Sequence, residues 1–589
     1  MAPASLLGAL LIGSPSRESP GPAAAPSWGD PVLWRPVLLL LPALLLLLGH
    51  AVVPLDEFIL RGDDAFYYFK VALNHVQFGF WTFDGLHPTN GVQPLWAIVL
   101  TGMAYVFSWV GLDDPLTFAR AAVVLSALLY FAACLLLYLL LATRVSVATG
   151  FAVAGACLYP LGVVWGRLWG MESSLYLLLL VGTMAFFHWV FLARGSARSA
   201  LVLGMLLGLC ALGRLNAVFF AACLVPFYVV RPDSLVSLER RLRLALLVVL
   251  ATGIVLGASL AWNYATTGHF LSISGAVKSL RAADARAAYP VESLRNALSM
   301  VYWAWNVGLR WLGSSRLVDG FWVLGGRAVA DGALTLTTAV GMLGTVLIAP
   351  FFWIGPKAWL RRLRDRSRQI SVFAYFAVFA GIDTLASMFM YPTEQYAATR
   401  WWLLPLELTL TVLAAVIVVA AVGTLLERLV PAHWQTRIVP VWLATVVVLH
   451  LGQFGRFYWD GLVDYRDWNL SWNGESLLAA RWATANLPSE AVVGVWNAGV
   501  LGYFTERTVV NLDGLINNFD LIPYLREGRI EDYILREEIT HLADLEPMFE
   551  RVGIRDRLRL SEVYRHHSDF ANADYLIYRV EGVVAAPGS

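Results

Sequence analysis

Residues 61–96 read "RGDDAFYYFKVALNHVQFGFWTFDGLHPTNGVQPLW" and directly follow a strongly apolar segment, Pro36–Val53. Two adjacent carboxylates, Asp63 and Asp64, thus stand where the chain leaves a stretch long enough to cross a bilayer. Four apolar side chains then recur at helical spacing: Phe66, Phe69, Leu73 and Val76. This pattern predicts an amphipathic helix that lies at the membrane surface and begins with the two carboxylates.

The composition is typical of a polytopic membrane protein. Hydrophobic residues make up 58% of the chain, charged residues 14%, and the mean hydropathy is +0.63. The net charge of +1 gives no overall field that would recruit nucleic acid. Four cysteines lie inside apolar runs without metal-binding or redox spacing, and we expect buried thiols: Cys134, Cys157, Cys210 and Cys223.

A helix needs about 20 apolar residues to cross the hydrocarbon core. Nine segments meet this requirement: Pro36–Val53, Phe118–Ala142, Val147–Val164, Ser173–Leu192, Leu244–Trp262, Ala333–Ile354, Ile370–Met390, Trp401–Val422 and Ile438–Phe454. Two regions are ambiguous by length alone. Residues 200–230, interrupted by "GRLNA", could form a hairpin or one tilted helix, and Val92–Val110 could cross or lie embedded on one side.

The positive-inside rule favours the hairpin and the embedded helix. With that choice, the short basic loops share one side: Arg144, Arg194, Arg198, residues 239–243, residues 357–368, Arg428 and Arg437. The resulting prediction is a polytopic α-helical membrane protein with about 11 transmembrane helices and a cytoplasmic N-terminus.

This topology divides the chain into three parts. Residues 1–35 are expected to form a disordered cytoplasmic tail, residues 36–454 a transmembrane domain with outer loops 54–117 and 263–331, and residues 455–589 an extracytoplasmic soluble α/β domain. The C-terminal domain shows three candidate strands and one helix: Ala491–Trp496, Arg507–Leu512, Tyr575–Val580 and Ser476–Asn486. Two of its segments, "WNAGVLGYF" at 496–504 and "NLDGLINN" at 511–518, are distinctive but identify no acceptor.

Each polar residue on the outer face has a structural explanation beside a functional one. Helix capping accounts for one aspartate at a helix start, but not for two. Glu172 in "GMESS" could complement a helix N-terminus, and Arg400 beside two tryptophans could anchor the chain at the interface. Together with Lys278 and Glu394, these residues predict a pocket of carboxylates and cations at the outer leaflet, which suits a reaction on an anionic lipid.

The order of these features resembles the GT-C superfamily of integral-membrane glycosyltransferases. The resemblance rests on Asp63-Asp64 after the first span, the embedded helix opening with "GVQPLW", the basic turn at Arg144, the third span with "LYPLGVV" and the acidic residue in "GMES". Members include protein O-mannosyltransferases, lipid A aminoarabinose transferases and the catalytic subunit of oligosaccharyltransferase. The chain lacks a "WWDYG"-like signature in the outer domain, which disfavours transfer of a whole oligosaccharide to asparagine.

The resemblance implies an inverting transfer of sugar from a polyprenyl-phosphate-linked donor to an acceptor hydroxyl on the non-cytoplasmic face. The first-loop carboxylate motif maps onto Asp63 and Asp64, and the second-loop acidic position maps onto Glu172. Asp63 is our candidate for the base, and Asp64 would orient the helix or help to bind a metal.

Glu172 would steer the acceptor or complete a cation site. A divalent cation stays open as a cofactor, with Asp63, Asp64 and Glu172 as its ligands. Two cations, Arg400 and Lys278, would stabilise the leaving phosphate. Residues expected near the acceptor or behind the catalytic groups are Glu394, Tyr396, His87 and Asn90.

Two other classes of function remain open. A transporter or flippase of a lipid-linked sugar would use outer-face charges as substrate contacts, although no inverted repeat is visible. A non-catalytic assembly subunit would rely on its outer domain. The acceptor could be a glycan, a lipid or a protein, and the expected location is a bacterial plasma membrane within the cell envelope.

Overall fold

The computed structural model describes residues 31–49, 51–52, 62–112, 114–158, 170–231, 236–288, 371–390, 404–429, 472–568 and 572–584, with a few positions between 355 and 370. Two predicted spans, Ala333–Ile354 and Ile438–Phe454, lie outside the described residues, as does most of the predicted cytoplasmic tail. The number of eleven spans therefore stays a prediction.

The N-terminal part is helical. Its helices are α1 (Pro31–Gly49), α2 (Asp64–Phe78), α3 (Pro94–Trp109), α4 (Pro115–Arg144), α5 (Val147–Leu158), α6 (Ser173–Phe186), α7 (Ala197–Gly213), α8 (Val218–Val230), α9 (Leu238–Thr267), α10 (Ile273–Ala288), α11 (Ala374–Met390) and α12 (Leu404–Leu429). Helix α6 continues through a π-helical turn to Arg194. Within the described residues, five helical stretches are long and apolar enough to cross a membrane: Pro115–Arg144, Ser173–Arg194, Leu238–Thr267, Ser371–Met390 and Leu404–Ala421.

Helices α7 and α8 form the predicted hairpin. The chain leaves α7 at Arg214, where an extended backbone interrupts the helix. At the start of α9, the Arg240 guanidinium donates to the Gly195 carbonyl before α7, and the Arg241 guanidinium donates to the Val229 carbonyl at the end of α8. The beginning of α7 and the end of α8 therefore meet at one end of the bundle, which we call the basic end.

Helix α3 begins and ends on the same side of the bundle, as predicted for an embedded helix. Before it, the Gln93 amide donates to the Tyr68 hydroxyl, and after it, the Pro115 carbonyl at the start of α4 accepts from Tyr503 of the C-terminal domain. The helix has 16 residues, and apolar side chains such as Trp109 are exposed along it. We call this end of the bundle, opposite the basic end, the site end.

The C-terminal part is an α/β unit built on one five-stranded sheet. Its elements are α13 (Trp472–Asn486), β1 (Val492–Val495), α14 (Gly499–Phe504), β2 (Thr508–Asn511), α15 (Leu521–Glu527), α16 (Ile530–Arg536), β3 (His541–Leu545), α17 (Glu546–Val552), β4 (Leu558–Ser568) and β5 (Ala573–Val583). The strand order is β2-β1-β3-β5-β4. Strand β1 is parallel to β2 and β3, whereas β5 is antiparallel to β3 and β4.

The predicted strands and helix of this unit are present, and β3 and β4 were not predicted. Strand β4 is an edge strand of the described sheet and pairs with β5. Most of its residues are exposed or half-buried, so its sequence has no continuous apolar run that would have predicted a strand. Strand β3 is buried throughout, but its five residues, "HLADL", include a histidine and an aspartate.

The C-terminal unit shares a hydrophobic core with the first-loop helices. Phe66, Phe69 and Trp96 belong to the same buried cluster as Leu501 and Tyr503. The rings of Phe66 and Tyr503 lie 5.4 Å apart between centroids. Burying aromatic side chains across a junction removes a large apolar area from water, so the two parts pack as one body at the site end.

Candidate active site

Asp63 stands at the N-cap position of α2, but its carboxylate does not cap that helix. It binds α14 of the C-terminal unit instead, accepting from the Gly499 amide at 2.9 Å and from the Val500 amide at 2.7 Å. The Tyr67 hydroxyl also hydrogen-bonds this carboxyl. Burial raises the pKa of Asp63 to about 7, although the Val500 and Gly499 amides oppose the shift. Asp63 therefore joins the first outer loop to the C-terminal unit.

Asp64 faces a different set of groups, because consecutive helical residues point about 100° apart. Burial raises its pKa to about 6, the Lys278 ammonium opposes this shift, and Asp513 and Glu172 add to it. The residue remains partly accessible. A partly accessible carboxyl whose pKa is shifted by burial and by specific charges is a candidate functional group.

Glu172 is 2% exposed and precedes α6 without capping it. Its Oε2 accepts a hydrogen bond from the Tyr68 hydroxyl at 3.0 Å, and its Oε1 lies 3.9 Å from the Arg214 Nε. Arg214 lies between α7 and α8, so the tip of that hairpin is at the site end rather than in the middle of the membrane. Glu172 is thus held between the first-loop helix and the hairpin.

Lys278 lies on α10, and the first loop positions this helix. The Asn90 side chain accepts from the Ile273 amide at 2.9 Å and donates to the Leu271 carbonyl at 3.2 Å. These contacts hold the first turn of α10 in place. Asn90 was predicted near the acceptor, and in the structure its amide binds the backbone that leads to Lys278.

His87 was also predicted near the acceptor, and it connects the first loop to α16. Its Nδ1 lies 3.0 Å from Asp84, and its Nε2 lies 3.3 Å from Glu537. The hydrogen bond with Asp84 is the largest influence and raises the pKa of His87. The side chain is therefore part of the contact between the two units.

Three predicted residues, Glu394, Tyr396 and Arg400, lie outside the described residues. Their places in the pocket stay predictions. All four cysteines have free thiols. Cys134 and Cys210 are buried as expected, whereas Cys157 and Cys223 are only partly buried.

Metal binding by Asp63, Asp64 and Glu172 stays a prediction. Both oxygens of Asp63 accept backbone amides, and one oxygen of Glu172 accepts the Tyr68 hydroxyl. Among the described residues, no three His, Cys, Asp or Glu side chains are placed to hold a metal ion together. We therefore derive no step through a metal.

Sequence reasoning missed Asp513, Tyr68 and the partner of Arg214. Asp513 follows β2, and burial raises its pKa, while Arg281 most strongly opposes the shift. The segment "NLDGLINN" was the available signal, because a carboxylate between a strand end and a glycine often marks a site loop. No pattern within this segment of the sequence indicates that the loop contacts the first outer loop.

Comparisons with known proteins concern the C-terminal unit and the whole fold. Residues 466–578 match a family model described as "Domain of unknown function (DUF8728)". No curated protein sequence matches the chain.

Solved structures match over most of the chain. The archaeal oligosaccharyltransferase AglB from Archaeoglobus fulgidus, in complex with an inhibitory peptide and a dolichol-phosphate, matches with a TM-score of 0.50 and 13% identity, over 92% of this chain and 74% of that one. Its apo form matches with a TM-score of 0.50 and 14% identity, over 89% of this chain and 71% of that one. ArnT from Cupriavidus metallidurans, bound to undecaprenyl phosphate, gives a lower TM-score of 0.48 at 13% identity, over 93% of this chain and 98% of that one.

Identities this low concern the fold alone. The match to AglB includes the helical bundle and extends over nearly all of this chain. The chain therefore has the fold of the archaeal oligosaccharyltransferase, which is the fold implied by its resemblance to the GT-C superfamily.

Proposed function

We propose that this protein is a GT-C-type membrane glycosyltransferase. It transfers a sugar from a polyprenyl-phosphate-linked donor to an acceptor hydroxyl, with inversion at the anomeric carbon. The observation that carries the proposal is a partly accessible carboxyl, Asp64, at the start of the helix whose Tyr68 binds Glu172. Burial raises the pKa of Asp64 to about 6, and the charge of Lys278 opposes this shift. The likeness to AglB supports a lipid-linked donor, since one AglB structure contains a dolichol-phosphate.

We assign the base to Asp64 rather than to Asp63. Both Asp63 oxygens already accept hydrogen bonds from backbone amides of α14, so this carboxylate is engaged in the contact between α14 and α2, although its pKa of about 7 is the higher of the two. A carboxylate with a pKa near 6 is mostly ionised at neutral pH and still basic enough to take a proton in the transition state.

The reaction then proceeds in one displacement. Asp64 accepts the acceptor hydroxyl proton, the hydroxyl oxygen bonds to the anomeric carbon, and the bond to the lipid phosphate oxygen breaks with its electron pair. Negative charge grows on the departing phosphate, and Lys278, with the predicted Arg400, stabilises it. Glu172, held by Tyr68, raises the pKa of Asp64 and would orient the acceptor.

The basic end of the bundle carries Arg194, Arg198, Arg240 and Arg241, so the positive-inside rule supports a cytoplasmic location for it. The site end and the C-terminal unit would then lie on the extracytoplasmic face of a bacterial plasma membrane. The acceptor, whether glycan, lipid or protein, is selected at this face.

A turnover assay tests the proposal. Purified protein is incubated with a radiolabelled polyprenyl-phosphate sugar and a membrane extract as acceptor source, and covalent product is separated from the donor. Wild-type protein should form product, and Asp64→Asn should not. Asp520→Asn, a change of an exposed carboxylate, is the matched control and should leave turnover unchanged.

The competing functions give different results. If no product forms but the labelled lipid crosses the bilayer in vesicles containing the protein, the chain is a transporter or flippase. If neither product nor lipid movement is seen and the donor does not bind, the chain is an assembly subunit.

A further inference from the structure

The segment "NLDGLINN" folds into a tight loop directed at the first-loop helices. The Asn511 side chain accepts from the Gly514 amide at 3.0 Å, and the Asn517 side chain donates to the Asn511 carbonyl. Gly514 has φ +84, and a β-carbon there would lie 2.9 Å from Val277 of α10. Only glycine suits this position, because the left-handed backbone and the close approach of α10 both exclude a side chain.

The loop is attached to both outer segments of the membrane part. The Arg281 guanidinium on α10 donates to the Asp513 carbonyl at 2.6 Å, and the Thr89 hydroxyl donates to the Asn517 carbonyl at 2.8 Å. A β-carbon on Gly91 would lie 2.1 Å from the Leu515 carbonyl, so the two backbones touch there. Contacts with α10 and with the first outer loop thus fix the position of the loop that carries Asp513.

Asp513 and Asp64 are far apart in the sequence, but both lie near α2: Asp64 begins this helix, and Asn511, two residues before Asp513, donates to the Tyr67 hydroxyl at 3.4 Å. The Lys278 charge acts on both carboxyls, and Asp513 acts on Asp64. The Leu515 amide binds one oxygen of Asp513 at 2.7 Å, which fixes the direction of the carboxylate. Lys278 is one helical turn before Arg281, so α10 presents both cations toward the loop.

We propose that Asp513 is a positioning residue of the catalytic pocket, through which the C-terminal unit supplies a second carboxylate that holds Lys278 beside Asp64. The inference rests on the proposed function, because it takes Asp64 as the base. It gives the C-terminal unit a part in the chemistry, in addition to any part in acceptor selection. It also gives a role to "NLDGLINN", one of the two segments that the sequence analysis found distinctive.

The charged and titratable groups around Asp64 determine what a substitution does. In the described residues these groups come from four places: Asp63, Tyr67 and Tyr68 in α2 and its N-cap, Glu172 before α6, Lys278 on α10 and Asp513 after β2. Lys278 favours the ionised form of Asp64, whereas Asp513 and Glu172 disfavour it. Neutralising Asp513 and neutralising Lys278 therefore change the proton affinity of Asp64 in opposite directions.

The experiment compares the pH dependence of kcat/KM in four proteins. In Asp513→Asn the acid limb, which is the fall in kcat/KM at low pH, should move to lower pH because a charge that raises the pKa of Asp64 is removed. The plateau of kcat/KM above that limb should fall roughly 10- to 100-fold, because Lys278 loses a partner that positions it. In Lys278→Met the limb should move to higher pH. Asp520→Asn, an exposed carboxylate of the same unit, should match the wild type.

The outcomes separate this inference from the proposed function. If the wild-type protein shows no turnover, the proposed function fails. If the limb disappears in Asp64→Asn but stays in place in Asp513→Asn, only the role of Asp513 fails. A drop in melting temperature without a shift of the limb also overturns it, because that result describes a purely structural residue.

Asp513→Glu keeps the charge and serves as the conservative variant. It should retain the wild-type position of the limb with a reduced plateau, and a limb that moves as in Asp513→Asn would contradict the proposal. If neither Asp513 variant folds, Lys278→Met remains decisive. An acid limb that stays at the wild-type pH in that variant shows that Lys278 does not act on Asp64, and the proposal falls.

Discussion

Two neighbouring aspartates with the same side chain have different surroundings. Asp63 accepts hydrogen bonds from the amides of α14, whereas the charge of Lys278 acts on Asp64. The difference follows from helix geometry, since the two side chains leave the axis about 100° apart. A pair of adjacent carboxylates can therefore serve assembly and chemistry at the same time.

Substituting the two residues separately should divide these roles. Asp64→Asn should lower kcat roughly 10²- to 10⁴-fold without changing the melting temperature, because it removes the proton acceptor and little else. Asp63→Asn should lower the melting temperature, because an amide oxygen can replace only one of the two carboxylate oxygens that accept from Gly499 and Val500. Turnover and thermal unfolding are measured on the same preparations.

The opposite pattern would restore the role that the sequence suggested for Asp63. If Asp63→Asn keeps its melting temperature and loses more activity than Asp64→Asn, then Asp63 is the base. The amides of Gly499 and Val500 would then orient it.

Acidification should inactivate the enzyme near pH 6. The pKa of Asp64 is raised to about 6, and the base works only when it is ionised. Turnover should therefore be full above that pH and fall as pH drops through it. The measurement is kcat/KM from about pH 5 to about pH 8. A profile that is flat across this range would remove Asp64 from the role of base.

At the scale of elements, the contact between α2 and α14 depends on a missing side chain. A β-carbon on Gly499 would lie 2.2 Å from the Asp63 carbonyl oxygen and 2.7 Å from its carboxylate. The nearer neighbour is a backbone atom, which cannot move aside as a side-chain end can, so the helices would have to separate.

Gly499→Ala should therefore lower both the melting temperature and the activity. Gly102→Ala on α3 is the matched control, because nothing lies within 4 Å of a β-carbon there, and alanine favours a helix. Circular dichroism melting and the turnover assay compare the two. Equal stability of the two variants would mean that α14 does not press on α2.

Elements were predictable where their signal is local. The apolar spacing of Phe66 and Phe69 predicted α2, and β-branched runs predicted β1, β2 and β5. What the sequence could not show is which elements meet. The partner of Asp63 is 436 residues away, and Glu172 meets Arg214 only because the α7–α8 hairpin turns back. No pattern within one segment records such contacts.

On the scale of the whole molecule, the shared core changes what truncation does. Cutting the chain after α12 would expose Phe66, Tyr67 and Phe69, which are buried against the C-terminal unit. We expect the truncated protein to aggregate or to unfold at a lower temperature than the intact chain, with donor binding lost as well. Size-exclusion chromatography in detergent and a lipid-binding assay check this. A monodisperse truncated protein that binds donor would show that the membrane part folds alone.

The proposed orientation predicts opposite labelling of the two ends. In a background whose four cysteines are replaced by alanine, Asp520→Cys in the C-terminal unit should react with a membrane-impermeant thiol reagent in intact cells. Arg198→Cys at the basic end should react only after permeabilisation. Both positions are exposed, so accessibility within the protein does not favour either one. Labelling of Arg198→Cys in intact cells would reverse the orientation.

The bridge from Asp63 to Gly499 also has a consequence for biogenesis. The two residues are 436 positions apart in the sequence, so Asp63 leaves the ribosome well before Gly499. At about 5–20 residues per second, that interval is roughly 20 to 90 s. During it, the aromatic face of the first loop has no native cover, and a chaperone or the insertion machinery would have to shield it. On the proposed function, the nascent chain stays inactive throughout, because the contact with Asp63 forms only after Gly499 and Val500 have been made, and a chain terminated before them would lack it.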